Sequence, residues 1–161
     1  MTISLRLYRS DDLDSVVQLW YRSWHHAFPD LHHPQPIEQW KIRFQKEIEP
    51  NEAVWVAERG HQLLGFFALR ESDGYLHQIF VSPEAQGQGV GTLLLKKAKQ
   101  LSPRRILLDT LQRNTQARRF YERHGFRPGD LATNPINGHP NITYHWEPRG
   151  SLEGERGGGR N

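Results

Sequence analysis

One glycine-rich segment most constrains how this chain can fold, the run Val81-Ser-Pro-Glu-Ala-Gln-Gly-Gln-Gly-Val-Gly-Thr-Leu-Leu-Leu95. It predicts a strand, a tight turn and the start of a helix in direct succession. Glycines at 87, 89 and 91 allow backbone conformations and close approaches that a β-carbon prevents. The first turn of a helix has unpaired N–H groups and a partial positive charge, which stabilise an anion. The segment therefore predicts a phosphate-binding loop.

Two common phosphate-binding loops do not fit this turn. A nucleoside-triphosphate loop needs a lysine followed by Ser or Thr, whereas Gly91 is followed by Thr92 and Leu93. The G-x-G-x-x-G spacing of a dinucleotide loop also fails. The pattern Gln86-x-x-Gly89-x-Gly91 instead resembles the Q/R-x-x-G-x-G/A loop of the GCN5-related N-acetyltransferases, which holds the pyrophosphate of acetyl-coenzyme A. The resemblance implies that the loop binds the cofactor through Gln86, Gly87, Gln88, Gly89, Val90, Gly91 and Thr92.

A second segment, residues 108–126, strengthens this resemblance. It contains a strand, a helix with the pattern Asn114-x-x-Ala-x-x-x-Tyr121, and a closing Gly125-Phe126, in the order that the family shows. In the family, the asparagine contacts the cofactor and the tyrosine hydroxyl donates a proton to the departing sulfur. A neutral phenol suits that task, so Tyr121 is predicted to be the catalytic acid. Two simpler roles stay open, an N-cap for Asn114 and aromatic packing for Tyr121.

The order of predicted elements, β-α-α-β-β-β-α-β-α-β-β, indicates an α/β fold and coincides with the acetyltransferase fold. Strands are predicted over residues 3–8, 53–58, 62–70, 75–82, 105–109, from 126 onward and over 141–146. The first helix is predicted to begin at the N-cap Ser10, and three further helices are predicted over 37–48, 90–101 and 115–124. The resemblance implies a mixed central sheet with flanking helices, in which the strands on either side of the glycine loop and its helix splay apart.

The strand before the loop is expected to contact the cofactor through its backbone. Under the resemblance, the amides and carbonyls of Ile79, Phe80 and Val81 bond the pantetheine arm, while their side chains belong to the core. The amide of Phe80 or Val81 would also stabilise the oxyanion that forms when an amine attacks the thioester.

His77 is the candidate general base. It occupies the position of the second histidine in the His-Leu-His strand of arylalkylamine acetyltransferases, where water relays the proton, and Tyr75 replaces the first histidine. Histidine titrates near neutral pH and can accept such a proton. A purely structural role for this strand histidine remains the alternative.

Residues 24–33 contain an unusual group of histidines and aromatic residues. The histidines are His25, His26, His32 and His33. We expect a polar loop and no metal, because adjacent histidines point in different directions and no carboxylate pattern completes a site. In the family, the first two helices and their connection shape the acceptor pocket. Trp24, His25 and Phe28, with the loop 134–140, are therefore the candidates for substrate binding.

Length and composition place these motifs in one domain. The 161 residues predict a single N-acetyltransferase domain over residues 1–148 and a disordered tail over 149–161, which has almost nothing to bury. No apolar run approaches the ~20 residues that span a bilayer, and the amino terminus alternates, so the expected compartment is cytoplasmic. The absence of cysteine excludes an acyl-cysteine intermediate. Scattered basic residues and a net charge of +3 do not favour nucleic acid.

The sequence thus predicts an N-acetyltransferase that uses acetyl-CoA as co-substrate and transfers the acetyl group to a primary amine by direct attack. The acceptor stays open between a small-molecule amine and a protein or peptide amine. A homodimer is compatible with the resemblance, since many relatives form one. The alternative is a non-catalytic acyl-CoA-binding or sensing module, although retention of Tyr121 argues against it, because holding a cofactor requires no proton donor.

Overall fold

The computed structural model describes residues 2–31, 33–135 and 138–148, and the predicted order of elements is confirmed within them. The strands are β1 (Ser4–Leu7), β2 (Ala53–Arg59), β3 (Gln62–Arg70), β4 (Tyr75–Val81), β5 (Ile106–Leu111), β6 (Arg127–Thr133) and β7 (Pro140–Trp146). The helices are α1 (Leu13–Ala27), α2 (Ile37–Arg43), α3 (Val90–Leu101) and α4 (Thr115–Arg123), and α2 continues as a π-helical turn, Phe44–Ile48. His32 and the predicted tail, residues 149–161, lie outside the described residues, as does part of the loop 134–140.

The entry into α1 differs from the prediction. Ser10 begins a short 3-10 turn that ends at Asp12, and it does not act as the N-cap. Asp12 instead accepts the Arg9 N–H at 2.8 Å and two hydrogen bonds from the Arg6 guanidinium at 2.8 and 2.9 Å. These bonds hold the pKa of the Asp12 carboxyl below its usual range, chiefly through Arg6. The acidic side chain therefore ties the start of α1 to β1, because a buried carboxylate needs such partners.

The sheet opens between its two central strands. Its order is β1-β2-β3-β4-β5-β7-β6, and the strands pair antiparallel except for β4 and β5, which are parallel. Among the described residues, β4 and β5 are paired only where Tyr75 meets Leu107, whereas β3 stays paired with β4 as far as Val81. The two central strands therefore diverge toward their carboxyl ends, which confirms the predicted splay.

Helices cover both faces of the sheet. Side chains alternate along β3, so Phe66 packs with the α1 and α2 layer while Phe67 packs with the α3 layer. The first layer is centred on the large buried rings of Trp20, Trp40 and Phe44. The gap between β4 and β5 thus lies between two well-packed layers. Among the residues that the structure describes, none of the helices has both the length and the apolar character to cross a bilayer.

Candidate active site

A groove of about 480 Å³ follows the gap between β4 and β5. Its walls come from β4, the glycine loop, the first turn of α3, β5 and α4, and α1 closes one side. The predicted cofactor residues that line it are Ile79, Phe80, Val81, Gln86, Gly87, Gly89, Val90, Gly91, Thr92 and Asn114. The two predicted catalytic residues, His77 and Tyr121, line the same groove. The fold therefore brings together residues from three separate parts of the sequence.

Gln88 was predicted to bind the cofactor, but it is not among the residues that line the groove. Its carboxamide accepts a hydrogen bond from Arg59 at 2.9 Å and donates one to the carbonyl of Glu84 at 3.3 Å. The side chain therefore braces the loop against the end of β2.

Glycine is needed at the three loop positions for two different structural reasons. Gly87 and Gly89 have φ angles of +79° and +85°, which L side chains rarely adopt, and a β-carbon at either position would meet no protein atom within 4 Å. These two glycines set the turn and leave open space in front of it. Gly91 has no such φ angle; a β-carbon there would lie 3.2 Å from the Phe120 ring, so this glycine lets α4 approach α3. Close approach of a ligand thus stays a prediction for Gly87 and Gly89, whereas the packing of α4 against α3 accounts for Gly91.

The start of α3 supplies donors to that open space. Gly89 is the N-cap residue, and the N–H groups of the first helical turn have no intrahelical acceptor. Because the helix N-terminus also carries partial positive charge, a diphosphate fits this wall. The residues present therefore fit the pyrophosphate of acetyl-CoA.

The backbone of β4 offers its free edge to the groove at alternate residues. The Ser82 N–H donates to the Leu64 carbonyl on β3 at 2.8 Å, and Phe80 is paired with Phe66. Because successive residues of a strand point their amides in opposite directions, those of Ile79 and Val81 face the gap. The Val81 carbonyl is indeed contacted from α1, by the Ser23 hydroxyl at 3.3 Å. Of the two amides considered for the oxyanion, the register favours Val81 over Phe80.

Tyr121 is buried in an aromatic environment at the groove wall. The residue is 7% exposed, and its ring lies 5.5 to 5.9 Å from the rings of Phe120, Phe126 and Tyr144. Burial raises the pKa of the Tyr121 phenol. The phenol is therefore protonated at neutral pH, as a proton donor must be. Aromatic packing and proton donation are compatible roles for this residue.

The raised pKa of Tyr121 has a measurable consequence. Subtracting the tyrosinate absorbance titration of Tyr121→Phe from that of the wild-type protein should leave a phenol that ionises above pH 10, the usual value for tyrosine being about 10. The neutral form is favoured, so Tyr121 should cause no alkaline loss of activity below that pH. A difference titration centred at or below pH 10 would contradict the buried donor.

His77 is paired with a carboxylate that the sequence analysis did not identify. Its Nδ1 atom lies 3.0 Å from both carboxylate oxygens of Glu52. The Glu52 side chain is 2% exposed and that of His77 is 29% exposed. Tyr75, in place of the family's first histidine, packs 5.7 Å from the His77 ring but donates its hydroxyl to Asp109 at 2.8 Å.

The α1 residues at the groove are not the predicted ones. Ser23 and Ala27 line the groove. The next row of the helix, Trp24 and Phe28, lies about 100° further round and packs into an aromatic cluster with Trp40. Trp24, His25 and Phe28 therefore lie outside the groove lining, and their assignment to substrate binding stays a prediction.

The histidines of this region are also not a polar loop. His25 and His26 lie in α1, and the Nδ1 atom of His25 is 2.8 Å from the Tyr21 carbonyl. His33 is buried and packs 4.6 Å from the Trp40 ring. The aromatic surroundings of His25 and His33 correct that prediction.

Asn114 is an N-cap that also lines the groove. Its side-chain oxygen accepts the Ala117 N–H at 3.2 Å, which confirms the capping interpretation. The NH₂ group of the carboxamide is the part that remains for a ligand. Capping fixes the orientation of this side chain and of α4, and thus of Tyr121 two turns further on.

Comparisons with known proteins agree with this geometry. The model of the acetyltransferase (GNAT) family matches residues 13–126. The chain is 28% identical to the peptidyl-lysine N-acetyltransferase YiaC of Escherichia coli (strain K12) over 138 residues, 80% of this chain and 86% of that protein. It is 28% identical to the peptidyl-lysine N-acetyltransferase YjaB of the same strain over 130 residues, 79% of this chain and 84% of that protein.

Solved structures show the same fold. The apo form of YjaB from Escherichia coli superposes with a TM-score of 0.71 at 24% identity and covers 91% of this chain and 98% of that one. The PaiA N-acetyltransferase from Thermoplasma acidophilum, solved in complex with coenzyme A, superposes with a TM-score of 0.73 at 19% identity, covering 92% of this chain and 100% of that one.

Proposed function

The chain belongs to the acetyltransferase (GNAT) family and is an acetyl-CoA-dependent N-acetyltransferase, and we propose that its acceptor is a lysine side-chain amine in a protein or peptide. One observation supports this reaction: a single groove joins the glycine loop, the buried Tyr121 phenol and His77, whose imidazole contacts Glu52. The choice of lysine is supported by the similarity to YiaC and YjaB, which are both peptidyl-lysine N-acetyltransferases. Asp109 lines the same groove, and its negative charge suits a cationic amine.

The groove suggests how the donor is held. We place its diphosphate on the amides of residues 87–92 and its pantetheine arm along the free backbone edge of Ile79 and Val81. Asn114 lies on the opposite wall. When bound, acetyl-CoA supplies the thioester carbonyl that the amine attacks.

The residues around the carbonyl then have separate tasks. His77 accepts a proton from the lysine ammonium, which leaves a neutral nucleophile. The Val81 N–H donates to the carbonyl oxygen as it gains negative charge. As the C–N bond forms and the C–S bond breaks, Tyr121 gives its proton to the sulfur, and the proton that the nitrogen sheds replaces it. The chain has no cysteine, which excludes an acyl-cysteine intermediate, and the proposed transfer of the acetyl group to the amine is direct.

The acceptor is tested with matched peptides. A peptide with one lysine and a blocked amino terminus should release thiol with a kcat/KM at least about tenfold higher than the same peptide with arginine for lysine and a free amino terminus, a difference of about 1.4 kcal/mol. Mass spectrometry should place one acetyl group on the lysine. Equal or faster turnover with the free amino terminus, or with small polyamines, would refute the lysine assignment while leaving the transferase chemistry intact.

A further inference from the structure

We propose that Glu52 is a positioning residue for His77, fixing which ring nitrogen accepts the proton of the amine; this inference rests on the base role proposed above. The Nδ1 atom of His77 lies 3.0 Å from each carboxylate oxygen of Glu52, so both oxygens share one donor. The contact joins residues that are 25 positions apart in the sequence.

Burial makes this contact selective for one tautomer. The Glu52 side chain is 2% exposed, and an ionised carboxylate can only accept hydrogen bonds. A buried carboxylate without a donor is strongly destabilised, so the hydrogen of the neutral imidazole is held on Nδ1. The lone pair is then on Nε2, the nitrogen that can take a proton from an amine in the groove.

The backbone is held in place on both sides of Glu52. The Glu52 N–H donates to the carbonyl of Ile48 at 3.0 Å, and Ile48 is 1% exposed at the end of the π-helical turn. The next residue, Ala53, begins β2 and is paired with Leu69 of β3. The backbone that carries the carboxylate is therefore fixed at the position from which it reaches His77.

Two other charged side chains lie near the pair: Arg70, whose guanidinium is 5.2 Å from the Tyr75 ring centroid, and Asp109. Tyr75 packs against the His77 ring, and burial, with Asp109 as hydrogen-bond acceptor, raises the pKa of its phenol. Asp109 is shared between the hydroxyls of Tyr75 and Thr143, at 2.8 and 2.7 Å. This carboxylate is directed at those two hydroxyls, and Glu52 is the carboxylate hydrogen-bonded to the imidazole.

The wild-type protein itself provides the first test. Side-chain ¹⁵N NMR of His77 should show the tautomer with hydrogen on Nδ1 at a pH where the ring is neutral. In Glu52→Gln, whose carboxamide presents both a donor and an acceptor, the other tautomer should become populated. A wild-type ring that carries its hydrogen on Nε2 would overturn the proposal without any variant.

The kinetic test uses Glu52→Gln and Glu52→Asp with saturating lysine peptide. The glutamine variant should lose about tenfold or more in kcat with unchanged affinity for acetyl-CoA, and the aspartate variant should recover part of the loss, because base catalysis is worth about 10²–10⁴-fold in total. Glu49→Gln is the matched control. Glu49 lies close to Glu52 in the sequence and accepts a hydrogen bond from the Tyr8 hydroxyl at 3.1 Å, so this variant should leave kcat unchanged.

A double-mutant cycle separates the possible failures. If Glu52 acts through His77, adding Glu52→Gln to His77→Gln should cause no further loss in kcat. A loss of the same size in both backgrounds would show that Glu52 acts independently and would overturn the proposal. A fully active His77→Gln would instead remove the base role itself, while the preference for lysine peptides would stand or fall on the peptide assay.

Discussion

Replacing Tyr121 with phenylalanine is expected to lower kcat by about 10²–10⁴-fold, the range for loss of a general acid, while the affinity for acetyl-CoA changes little. Phenylalanine preserves the ring that packs against Phe126 and Tyr144, so the change removes the hydroxyl alone. Because the lost interaction forms with the leaving sulfur, it affects the transition state more than the bound donor. Steady-state kinetics with the lysine peptide and calorimetric titration with acetyl-CoA measure the two effects separately.

Tyr144→Phe is the matched control for this change. Tyr144 is fully buried 5.9 Å from Tyr121, and its hydroxyl bonds Glu122 at 2.5 Å and Arg118 at 3.0 Å. Loss of these bonds should cost about 1–3 kcal/mol of stability, with kcat within a few fold of the wild type. Should both variants lose activity equally, or should Tyr121→Phe retain full turnover, Tyr121 is not the proton donor.

Gly89→Val is expected to weaken acetyl-CoA binding by about tenfold or more. The residue has a φ angle of +85°, so a β-carbon costs about 1–2 kcal/mol in backbone strain or shifts the turn. A β-carbon there would meet no protein atom within 4 Å, and the larger side chain would occupy the space assigned to the diphosphate. Calorimetric titration measures the affinity, and thermal denaturation measures the strain.

Gly60→Val separates strain from the loss of ligand contact. Gly60 has a φ angle of +64° in the turn between β2 and β3, outside the groove lining. The two variants should lose similar stability, and the acetyl-CoA affinity should fall in Gly89→Val alone. Intact affinity in Gly89→Val would remove the glycine loop from the donor site.

Local patterns were sufficient to predict much of this molecule. The glycine turn, the Asn114 cap and the apolar face of α3 are each encoded within a few consecutive residues, so their positions follow from backbone preferences. The splay of β4 and β5 was implied by the family resemblance and is confirmed by their single pair, Tyr75 with Leu107.

Long-range packing decided what the sequence left open. Glu52 lies in a turn before β2 and reaches His77 only through the pairing of β2, β3 and β4, which no local pattern encodes. In α1, the choice between the Ser23 row and the Trp24 row as the groove face depends on Trp40 of α2, which packs against the Trp24 ring. No local pattern shows that the Trp24 ring packs against α2 and lies outside the groove lining.

A crystal structure of the protein with bound coenzyme A tests the central claim most directly. We expect diphosphate oxygens at hydrogen-bond distance, about 2.7–3.2 Å, from the amides of residues 87–92, and the sulfur beside the Tyr121 hydroxyl. Coenzyme A bound elsewhere on the surface, with the gap between β4 and β5 left empty, would contradict it.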